Sequence, residues 1–459
     1  MGFTKDGGHV KTGGIPKWLV ALVDISLVNL GLYFAFVFVT GDLQGFQLEP
    51  LFLLLPLISL VTAFLFNNLG LYSRQLSGLM PVIRSLITGV IGLALFSVLF
   101  AFWTRAFIFQ QGVFLAAPLL QLALLVSWRL LYWRLELWIH GQKKLLVLGS
   151  AEEVEQALEK LMCLPRGVFE VVKVIGPDQV EEFPEWLPQV DAVMITGTLE
   201  LEDKNRVIRE CFDSNREVFI VPGLYEIILT RAMITQVHDT PVVECRDMQI
   251  TFSRLFSKRL SDLTLALVMA APALLLMLLL SILIKVTSPG PVIFAQERVG
   301  FRNRIFTLYK LRTMITGAEE KSGPVFSTEE DDRVTPVGRF LRATRLDELP
   351  QLYNVLRGDV SIVGPRPERP YFVALFQGEM PEYNLRHLVK PGITGLAQVA
   401  GYYATNTRDK LRYDLYYVSD NSLLMDFRIL LLTVPTLFNR EAARGLSKEA
   451  LGRLTWPKS

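Results

Sequence analysis

Long, nearly uninterrupted apolar runs are the feature that most constrains this chain. Each has about the 20 residues that an α-helix needs to cross the hydrocarbon core of a bilayer. Hydrophobic residues make up 51% of the 459, more than is typical of a soluble protein. The chain is therefore predicted to be a membrane protein. The runs cover residues 18–39, 51–71, 82–103, 113–133 and 263–284.

Charged residues around the first four runs predict their orientation. Lysines and arginines cluster before the first run, between the second and third, and after the fourth. By the positive-inside rule, the tail 1–16 and both ends of a four-helix bundle over 17–140 face the cytoplasm. Asp24 interrupts the first run and is either a functional intramembrane acid or a hydrogen-bonded packing residue. The cations are Lys5, Lys11, Lys17, Arg74, Arg84, Arg129, Arg134, Lys143 and Lys144.

The fifth run carries a proline near its middle. Lys258 and Arg259 precede the run and Lys285 follows it, so cations favour both ends on one side of the membrane. Pro272 lacks the N–H of a helical hydrogen bond, which supplies a bend. We therefore predict a re-entrant helix over about residues 261–286. The alternative is a kinked full span, which would place everything after Lys285 outside the cell.

Residues 143–245 alternate short apolar strands with helical segments, which predicts a Rossmann-like parallel α/β sheet. The turn that begins at Gly149 lacks the second and third glycines of a dinucleotide-binding fingerprint. Glu152 and Glu153 would also face any pyrophosphate there. A structural or oligomerising role is the preferred interpretation, and nicotinamide binding is the alternative.

Cysteine and histidine usage argues against several kinds of site. The three cysteines are widely spaced without a Cys-x-x-Cys pair, which indicates buried thiols in a reducing compartment. Four scattered histidines argue against a zinc centre. The net charge is +2, and no block of arginines with interleaved aromatic residues indicates nucleic-acid binding.

Two adjacent acids, Asp347 and Glu348, are the centre of the predicted chemistry. Pro350 suits the first turn of a helix, which places a helix start near Asp347 and makes that residue a candidate N-cap. The helix dipole would keep such a carboxylate ionised, and the same helix end attracts phosphate. The pair is either a nucleophilic acid beside a phosphate clamp or part of a capped helix with a solvated charged face.

Basic residues are concentrated around this acid pair. Lys310 and Arg312 are spaced so that both project to one side of a strand. Arg366 lies in a Gly-Pro-Arg-Pro turn, whose two prolines hold its guanidinium on a stiff loop. Such a concentration of cations suits an anionic phosphate substrate. For each cation, the alternative is a surface salt bridge.

The order of these motifs resembles a known family over roughly residues 254–440. The matching residues are Arg342, Leu346-Asp347-Glu348-Leu349-Pro350-Gln351-Leu352, Asn354-Val355, Gly358-Asp359, Gly364-Pro365-Arg366-Pro367 and Lys390-Pro391-Gly392-Ile393-Thr394-Gly395. They resemble the bacterial sugar transferases, which are polyprenyl-phosphate hexose-1-phosphate transferases. Four spans followed by an α/β domain resemble the long form of that family. Leu396 departs from the pattern, because many members carry tryptophan there, and this bears on the neighbouring pocket.

The resemblance implies transfer of a sugar 1-phosphate from a UDP-hexose to undecaprenyl phosphate with release of UMP. Such a step starts a lipid-linked glycan for capsule, exopolysaccharide or O-antigen. Asp347 would be the nucleophile and form an aspartyl phosphosugar. Mg²⁺ is the expected cofactor, with Asp347 and Glu348 as candidate ligands and Glu348 alternatively a base. The candidate phosphate-binding residues are Arg342, Arg366, Lys310, Arg312 and Lys390, and Pro272 matches the break in the family's membrane hairpin.

The expected fold is a membrane protein of the α/β class. It has a four-helix transmembrane bundle, the Rossmann-like domain, and a mainly helical catalytic domain over residues 254–459. The expected location is the bacterial inner membrane, with the catalytic domain on its cytoplasmic face, and a homodimer is left open. Two other function classes remain: a membrane-tethered nucleotide-sugar dehydratase or epimerase that uses the central domain, and a non-catalytic scaffold for polysaccharide assembly.

Overall fold

A computed structural model describes most of the chain as two compact units, Met1–Val221 and Pro222–Ser459. The domain boundaries expected from the sequence remain predictions. The predicted tail up to residue 15, the loop cation Arg74, and residues 438–459 of the predicted catalytic domain lie outside the described ranges. Those ranges are residues 16–40, 49–72, 79–104, 111–162, 169–197, 199–230, 232–244, 251–318, 331–401 and 406–437.

The first unit begins with four apolar helices. Three of them contain stretches that are long and apolar enough to cross a membrane, and the second contains a shorter apolar stretch, Leu54–Asn68. The first and fourth helices pack closely at Gly31, where a Cβ atom would lie 2.8 Å from Cγ of Gln121. The helices are α1 (Lys17–Thr40), α2 (Glu49–Asn68), α3 (Leu79–Thr104) and α4 (Gln111–His140).

A four-stranded parallel sheet follows in the same unit, with strand order β2-β1-β3-β4. This arrangement confirms the parallel α/β sheet predicted from alternating strands and helices. Fully buried aliphatic side chains of the two central strands form the core. The elements are β1 (Lys143–Leu148), α5 (Ala151–Met162), β2 (Phe169–Ile175), α6 (Phe183–Trp186), β3 (Ala192–Ile195), α7 (Leu201–Asp213) and β4 (Glu217–Ile220).

The glycine turn after β1 is explained by packing within the sheet. Gly149 has a φ of +155°, and a Cβ atom there would lie 1.6 Å from Oγ1 of Thr196. The Thr196 hydroxyl in turn donates a hydrogen bond to the carbonyl of Leu148, at 3.1 Å. Only glycine therefore fits this position, and no ligand is needed to account for it.

The second unit carries one very long helix and several short elements. The long helix, α9, passes through Pro272 and contains the fourth stretch that is long and apolar enough to cross a membrane. Its re-entrant course remains a prediction. The elements are α8 (Leu224–Leu229), β5 (Met233–Val237), β6 (Thr240–Glu244), α9 (Phe252–Thr287), β7 (Ile293–Val299), β8 (Ile305–Leu311), α10 (Pro336–Thr344), α11 (Gln351–Arg357), β9 (Ser361–Val363), α12 (Pro370–Glu379), β10 (Gly392–Thr394), α13 (Leu396–Ala400), α14 (Thr407–Ser419) and α15 (Leu423–Leu437).

Both ends of α9 are tied to the rest of the second unit. Near its start, the Arg259 guanidinium donates to the carbonyls of Val355 and Leu356, at 2.6 and 2.7 Å, at the carboxyl end of α11. This end of a helix exposes carbonyls without helical partners, so a cation there is favourable. Near the other end, Leu280 and Ile284 are buried in a cluster with apolar residues of β8 and α10.

The last apolar helix, α15, packs one of its faces into the core. Met425 and Ile429 are buried in the main cluster of the second unit, whereas Leu423 and Leu424 are exposed. Asp426, on the buried side, accepts a hydrogen bond from Nζ of Lys258 at 2.7 Å. This helix therefore has one face in the core and exposed leucines at its start.

Candidate active site

The acid pair lies in a short 3₁₀ turn between two helices. α10 ends at Thr344, and Arg345 then adopts a left-handed conformation with φ of +55°. Asp347 and Glu348 belong to the 3₁₀ turn that follows, and α11 begins only at Gln351. A helical turn therefore does begin near Asp347, as predicted, but it is a 3₁₀ turn with Arg345 as its N-cap, so the N-cap prediction for Asp347 is wrong. The left-handed residue ends one helix, and a tighter turn is interposed before the next.

The Asp347 carboxylate is buried but not engaged. Its residue is 8% exposed, and no hydrogen bond or ion pair to it is found among the described residues. Burial raises the pKa of Asp347, the neighbouring Glu348 charge raises it further, and Lys310 acts in the opposite direction. Desolvation thus outweighs the helix-dipole stabilisation that the sequence predicted. The result is a carboxylate free to react once it is ionised.

Glu348 is held firmly by two cations. Its Oε1 accepts hydrogen bonds from Nζ of Lys310, at 3.0 Å, and from Nη2 of Arg366, at 2.7 Å. Burial alone would raise the pKa of Glu348, but Arg366 and Lys310 outweigh burial and hold the pKa below its usual range. Glu348 is therefore ionised at neutral pH, and it is a weak proton acceptor.

Strand β8, which carries Lys310, is fixed to α11 through Asn354. This fully buried residue donates from Nδ2 to the carbonyl of Thr307, at 2.8 Å, and accepts from the Tyr309 N–H, at 3.2 Å. The amide therefore pairs with the backbone of β8 as another strand would. Because Asn354 belongs to α11, this contact fixes Lys310 relative to the preceding acids.

The turn that carries Arg366 is fixed by other arginines. The Arg298 guanidinium donates from Nη1 to the carbonyl of Pro367, at 3.0 Å, and Arg386 donates to the carbonyl of Arg366, at 2.7 Å. Arg386 is itself buried and paired with Asp414 at 2.8 Å. Arg298 and Arg386 together hold the backbone of this turn, so the Arg366 guanidinium is presented with a defined geometry.

Three of the five predicted phosphate-binding residues meet at this site. Lys310 and Arg366 contact Glu348 directly. Arg342 lies close enough for its charge to lower the pKa of Asp347, and its Nε donates to Oγ1 of Thr313 at 2.9 Å. These residues come from β8, the Gly-Pro-Arg-Pro turn and α10, so the fold assembles them from separate parts of the chain.

The other two predicted residues lie elsewhere. β8 ends at Leu311, and the buried Arg312 donates to the carbonyls of Ser288 and Pro289, at 2.7 Å each, next to the end of α9. Its guanidinium therefore contacts the backbone next to α9, and its phosphate-binding role remains a prediction. The largest charge effects on Lys390 come from Arg259 and Asp262 near the start of α9.

Sequence reasoning missed two members of the site. A small pocket is lined by Arg298, Lys310, Gln351 and Arg366 together with Leu308 and Pro367. Arg298 lies on the face of the β7–β8 hairpin that carries Lys310, since Arg298 pairs with Phe306 and Lys310 with Phe294. Alternation of side chains along a strand, which pointed to Lys310, also applies to Arg298 on β7. The pairing register of the two strands was needed to show that both residues lie on the same face.

The acid pair suits a metal ion shared with a substrate. Among the described residues, no group of three or more His, Cys, Asp or Glu side chains is arranged to hold a metal. Mg²⁺ is commonly bound by one or two carboxylates, with substrate phosphates and water completing its shell. Asp347, whose carboxylate has no hydrogen-bond partner in the described part of the chain, and the adjacent Glu348 fit that requirement.

Comparison with known proteins gives the family. A family model described as bacterial sugar transferase matches residues 253–440. A UDP-N-acetylgalactosamine-undecaprenyl-phosphate N-acetylgalactosaminephosphotransferase of Aeromonas hydrophila is 41% identical over 243 residues, or 52% of this chain and 56% of the relative. A UDP-glucose:undecaprenyl-phosphate glucose-1-phosphate transferase of Klebsiella pneumoniae is 37% identical over 243 residues, or 51% of each chain.

These matches span about half the length of those two relatives. A shorter relative is covered more fully. The exopolysaccharide production protein PSS of Rhizobium leguminosarum bv. phaseoli is 42% identical over 183 residues, which are 38% of this chain and 90% of the relative. The residues matched by the family model include the acid pair, the β7–β8 hairpin and the Gly-Pro-Arg-Pro turn. The chain belongs to the bacterial sugar transferase family.

Proposed function

We propose that this protein transfers a sugar 1-phosphate from a UDP-sugar to undecaprenyl phosphate. The observation that carries the proposal is the unengaged carboxylate of Asp347, next to a Glu348 whose Oε1 accepts hydrogen bonds from both Lys310 and Arg366. A nucleophile must be free, whereas a charge-positioning group must be fixed, and the two acids differ in this way. The names of the Aeromonas hydrophila and Klebsiella pneumoniae relatives, which include a UDP-sugar and undecaprenyl phosphate, support the same substrates.

The transfer is proposed to occur in two displacements. In the first, a carboxylate oxygen of Asp347 bonds to the sugar-linked phosphorus, and the bond from that phosphorus to the bridging oxygen breaks, so that UMP leaves. In the second, a phosphate oxygen of undecaprenyl phosphate bonds to the same phosphorus and the aspartyl bond breaks. Covalent catalysis divides one reaction between two anions into two separate steps.

The cations around the acids have distinct tasks in this scheme. Arg366, whose side chain is 40% exposed, and Lys310 neutralise charge on the phosphoryl oxygens while Glu348 fixes their positions. Arg342 adds positive charge on the α10 side and favours the ionised form of Asp347. Mg²⁺, held by Asp347 and Glu348 with substrate oxygens, would supply further charge neutralisation when bound.

The position of α9 supports a membrane-facing site. Its beginning contacts α11 through Arg259, and its end contacts Arg312 of the same compact unit through Ser288. Two ends tied to one unit support the proposal that the helix enters the bilayer and returns on the cytoplasmic side. A single cysteine at Pro291, with Cys163, Cys211 and Cys245 replaced by serine, is expected to react with a membrane-impermeant maleimide only from the cytoplasmic side. Labelling from the periplasm would contradict this topology.

The decisive experiment is capture of the covalent intermediate. Full-length protein incubated with a UDP-sugar but without lipid phosphate is expected to release one UMP per chain and to gain the mass of one phosphosugar. A panel of UDP-glucose, UDP-galactose and UDP-N-acetylgalactosamine identifies the sugar. Asp347→Asn is expected to abolish both signals. Asp409→Asn is the matched control, since that carboxylate pairs with Arg412 at 2.7 Å on α14. Mass gain in Asp347→Asn would overturn the assigned nucleophile.

A further inference from the structure

The pocket beside the acid pair contains donors with no acceptor. Gln351 is 2% exposed, and its Nε2 is buried without a hydrogen-bond partner among the residues that the structure describes. Nε of Arg298 is likewise buried and unpartnered, although the same guanidinium donates to Gln296 and Pro367 through its other nitrogens. Buried polar groups in folded proteins are nearly always satisfied, so two orphan donors on residues that line one pocket require an explanation.

The charge of the pocket indicates which acceptor is missing. Arg298, Lys310 and Arg366 all line it, and the nearby carboxylates of Glu348 and Glu368 already pair with these cations. Burial lowers the pKa of Arg298 and that of Lys310, so an anion in the pocket would stabilise both in their charged forms. A neutral hydroxyl would satisfy one donor but leave this cost of desolvation in place.

We propose that Gln351 and Arg298 form a phosphate-oxygen subsite of the transferase. Gln351 Nε2 and Arg298 Nε donate to an oxygen of a substrate phosphate, while Lys310 and Arg366 supply charge. The subsite is small, so it takes an oxygen atom of the phosphate rather than a sugar ring. This inference rests on the proposed function, and the phosphate belongs either to the nucleotide or to the polyprenyl phosphate.

The sequence position of Gln351 explains how the subsite is built. Gln351 is the first residue of α11, directly after Pro350, and Asn354 lies one turn further along the same helix. Asn354 fixes α11 to the backbone of β8, and Arg298 lies on the strand paired with β8. Gln351 is thus held rigidly opposite the hairpin cations, which is the preorganisation that oxyanion recognition requires.

The test measures binding rather than turnover. Full-length Asp347→Asn protein in detergent micelles is titrated with UMP and, separately, with a short-chain polyprenyl phosphate. Adding Gln351→Leu, which keeps a similar volume, is expected to weaken one or both affinities about 10- to 100-fold, the loss typical of a hydrogen bond to a charged group. A loss for UMP alone identifies the nucleotide phosphate, and a loss for the lipid alone identifies the lipid phosphate. A loss for both indicates a subsite used in each half-reaction.

Two further variants keep the test decisive. Arg298→Lys retains the charge but removes Nε, so it is expected to weaken the same ligand even if Gln351→Leu does not fold. Gln377→Leu, on α12 outside the pocket, is expected to leave both affinities unchanged. Unchanged binding of both ligands in folded Gln351→Leu and Arg298→Lys would overturn the subsite. Absence of turnover in the wild type would instead overturn the proposed function, while UMP binding still reports on the subsite.

Discussion

Two carboxylate–guanidinium pairs in this protein have different surroundings. In the membrane bundle, Asp24 is fully buried and accepts a hydrogen bond from Nη2 of Arg129, which also donates to the carbonyl of Leu71. In the second unit, Glu348 accepts hydrogen bonds from Arg366 and Lys310. The first set contains one acid and one base and is closed to solvent. The structure therefore favours the packing interpretation of Asp24 over the functional one.

The second set differs in its charge balance and in its access. An additional acid, Asp347, lies beside Glu348 with no hydrogen-bond partner among the described residues, and Arg366 keeps 40% of its side chain exposed. Arg298 and Arg342 add positive charge nearby. A salt bridge by itself therefore does not mark a functional site. The set around Glu348 differs from the one around Asp24 because it has a carboxylate without a partner among the described residues and extra cations that a ligand can reach.

The largest expected effect comes from breaking the closed pair. Arg129→Met leaves Asp24 buried without a counter-ion, which is expected to cost about 3–5 kcal/mol of stability. The double variant Asp24→Leu, Arg129→Met removes both charges and is expected to recover most of that loss. Thermal unfolding of the three proteins in the same detergent measures the effect. Equal unfolding temperatures for wild type and Arg129→Met would show that the pair does not stabilise the bundle.

Breaking the open pair is expected to affect catalysis instead. Arg366→Ala removes a cation from the phosphoryl group and is expected to lower kcat by about 10²- to 10³-fold. Glu348 keeps its 3.0 Å contact with Lys310, so the unfolding temperature is expected to change little. Arg408→Ala, at an exposed position at the start of α14, is the matched control for UMP release. A large loss of stability with normal kcat would make this pair equivalent to the one in the bundle.

Sequence motifs drew attention to the acid pair, but tertiary pairing decided which cations lie beside it. The prediction for Arg366 rested on two flanking prolines, and the structure places its guanidinium at the acid pair. Arg312 was predicted from its alternation with Lys310, but its guanidinium contacts backbone carbonyls next to the end of α9. Lys390 lies near the start of α9. Gln351 was on the right helix, but its orphan donor becomes visible only once β7 and α11 are packed together.

Arg312 is intermediate between the two pairs, because it is buried like Arg129 but was predicted to bind phosphate like Arg366. Its buried guanidinium donates to two carbonyls at the end of α9, so Arg312→Met is expected to lower stability by about 2–3 kcal/mol. The KM for the UDP-sugar in the remaining folded protein is expected to be unchanged. Thermal unfolding and initial-rate kinetics measure the two quantities. A raised KM with normal stability would instead place Arg312 among the phosphate-binding residues.

The smallest expected effects are opposite shifts in the pH dependence of kcat/KM. Asp347 must be ionised to attack, so the rate falls as pH falls through its pKa, which burial raises above the ordinary 3.8. The Glu348 charge raises this pKa, so Glu348→Gln is expected to move the acid limb to lower pH. The Lys310 charge lowers it, so Lys310→Met is expected to move the limb to higher pH. Shifts in the same direction would contradict the assignment of the limb to Asp347.

A second buried acid must be separated from Asp347 in this measurement. Burial raises the pKa of Asp414 to about 6 despite its ion pair with Arg386, so its protonation would also produce an acid limb. Asp414→Asn removes that titration. If Asp347 sets the limb, the apparent pKa is expected to stay in place in Asp414→Asn although kcat falls, because Arg386 then holds the Arg366 backbone less firmly. If the fall in kcat/KM at low pH disappears in Asp414→Asn, the pH profile reports protonation of Asp414, which supports Arg366 through Arg386, rather than protonation of the nucleophile.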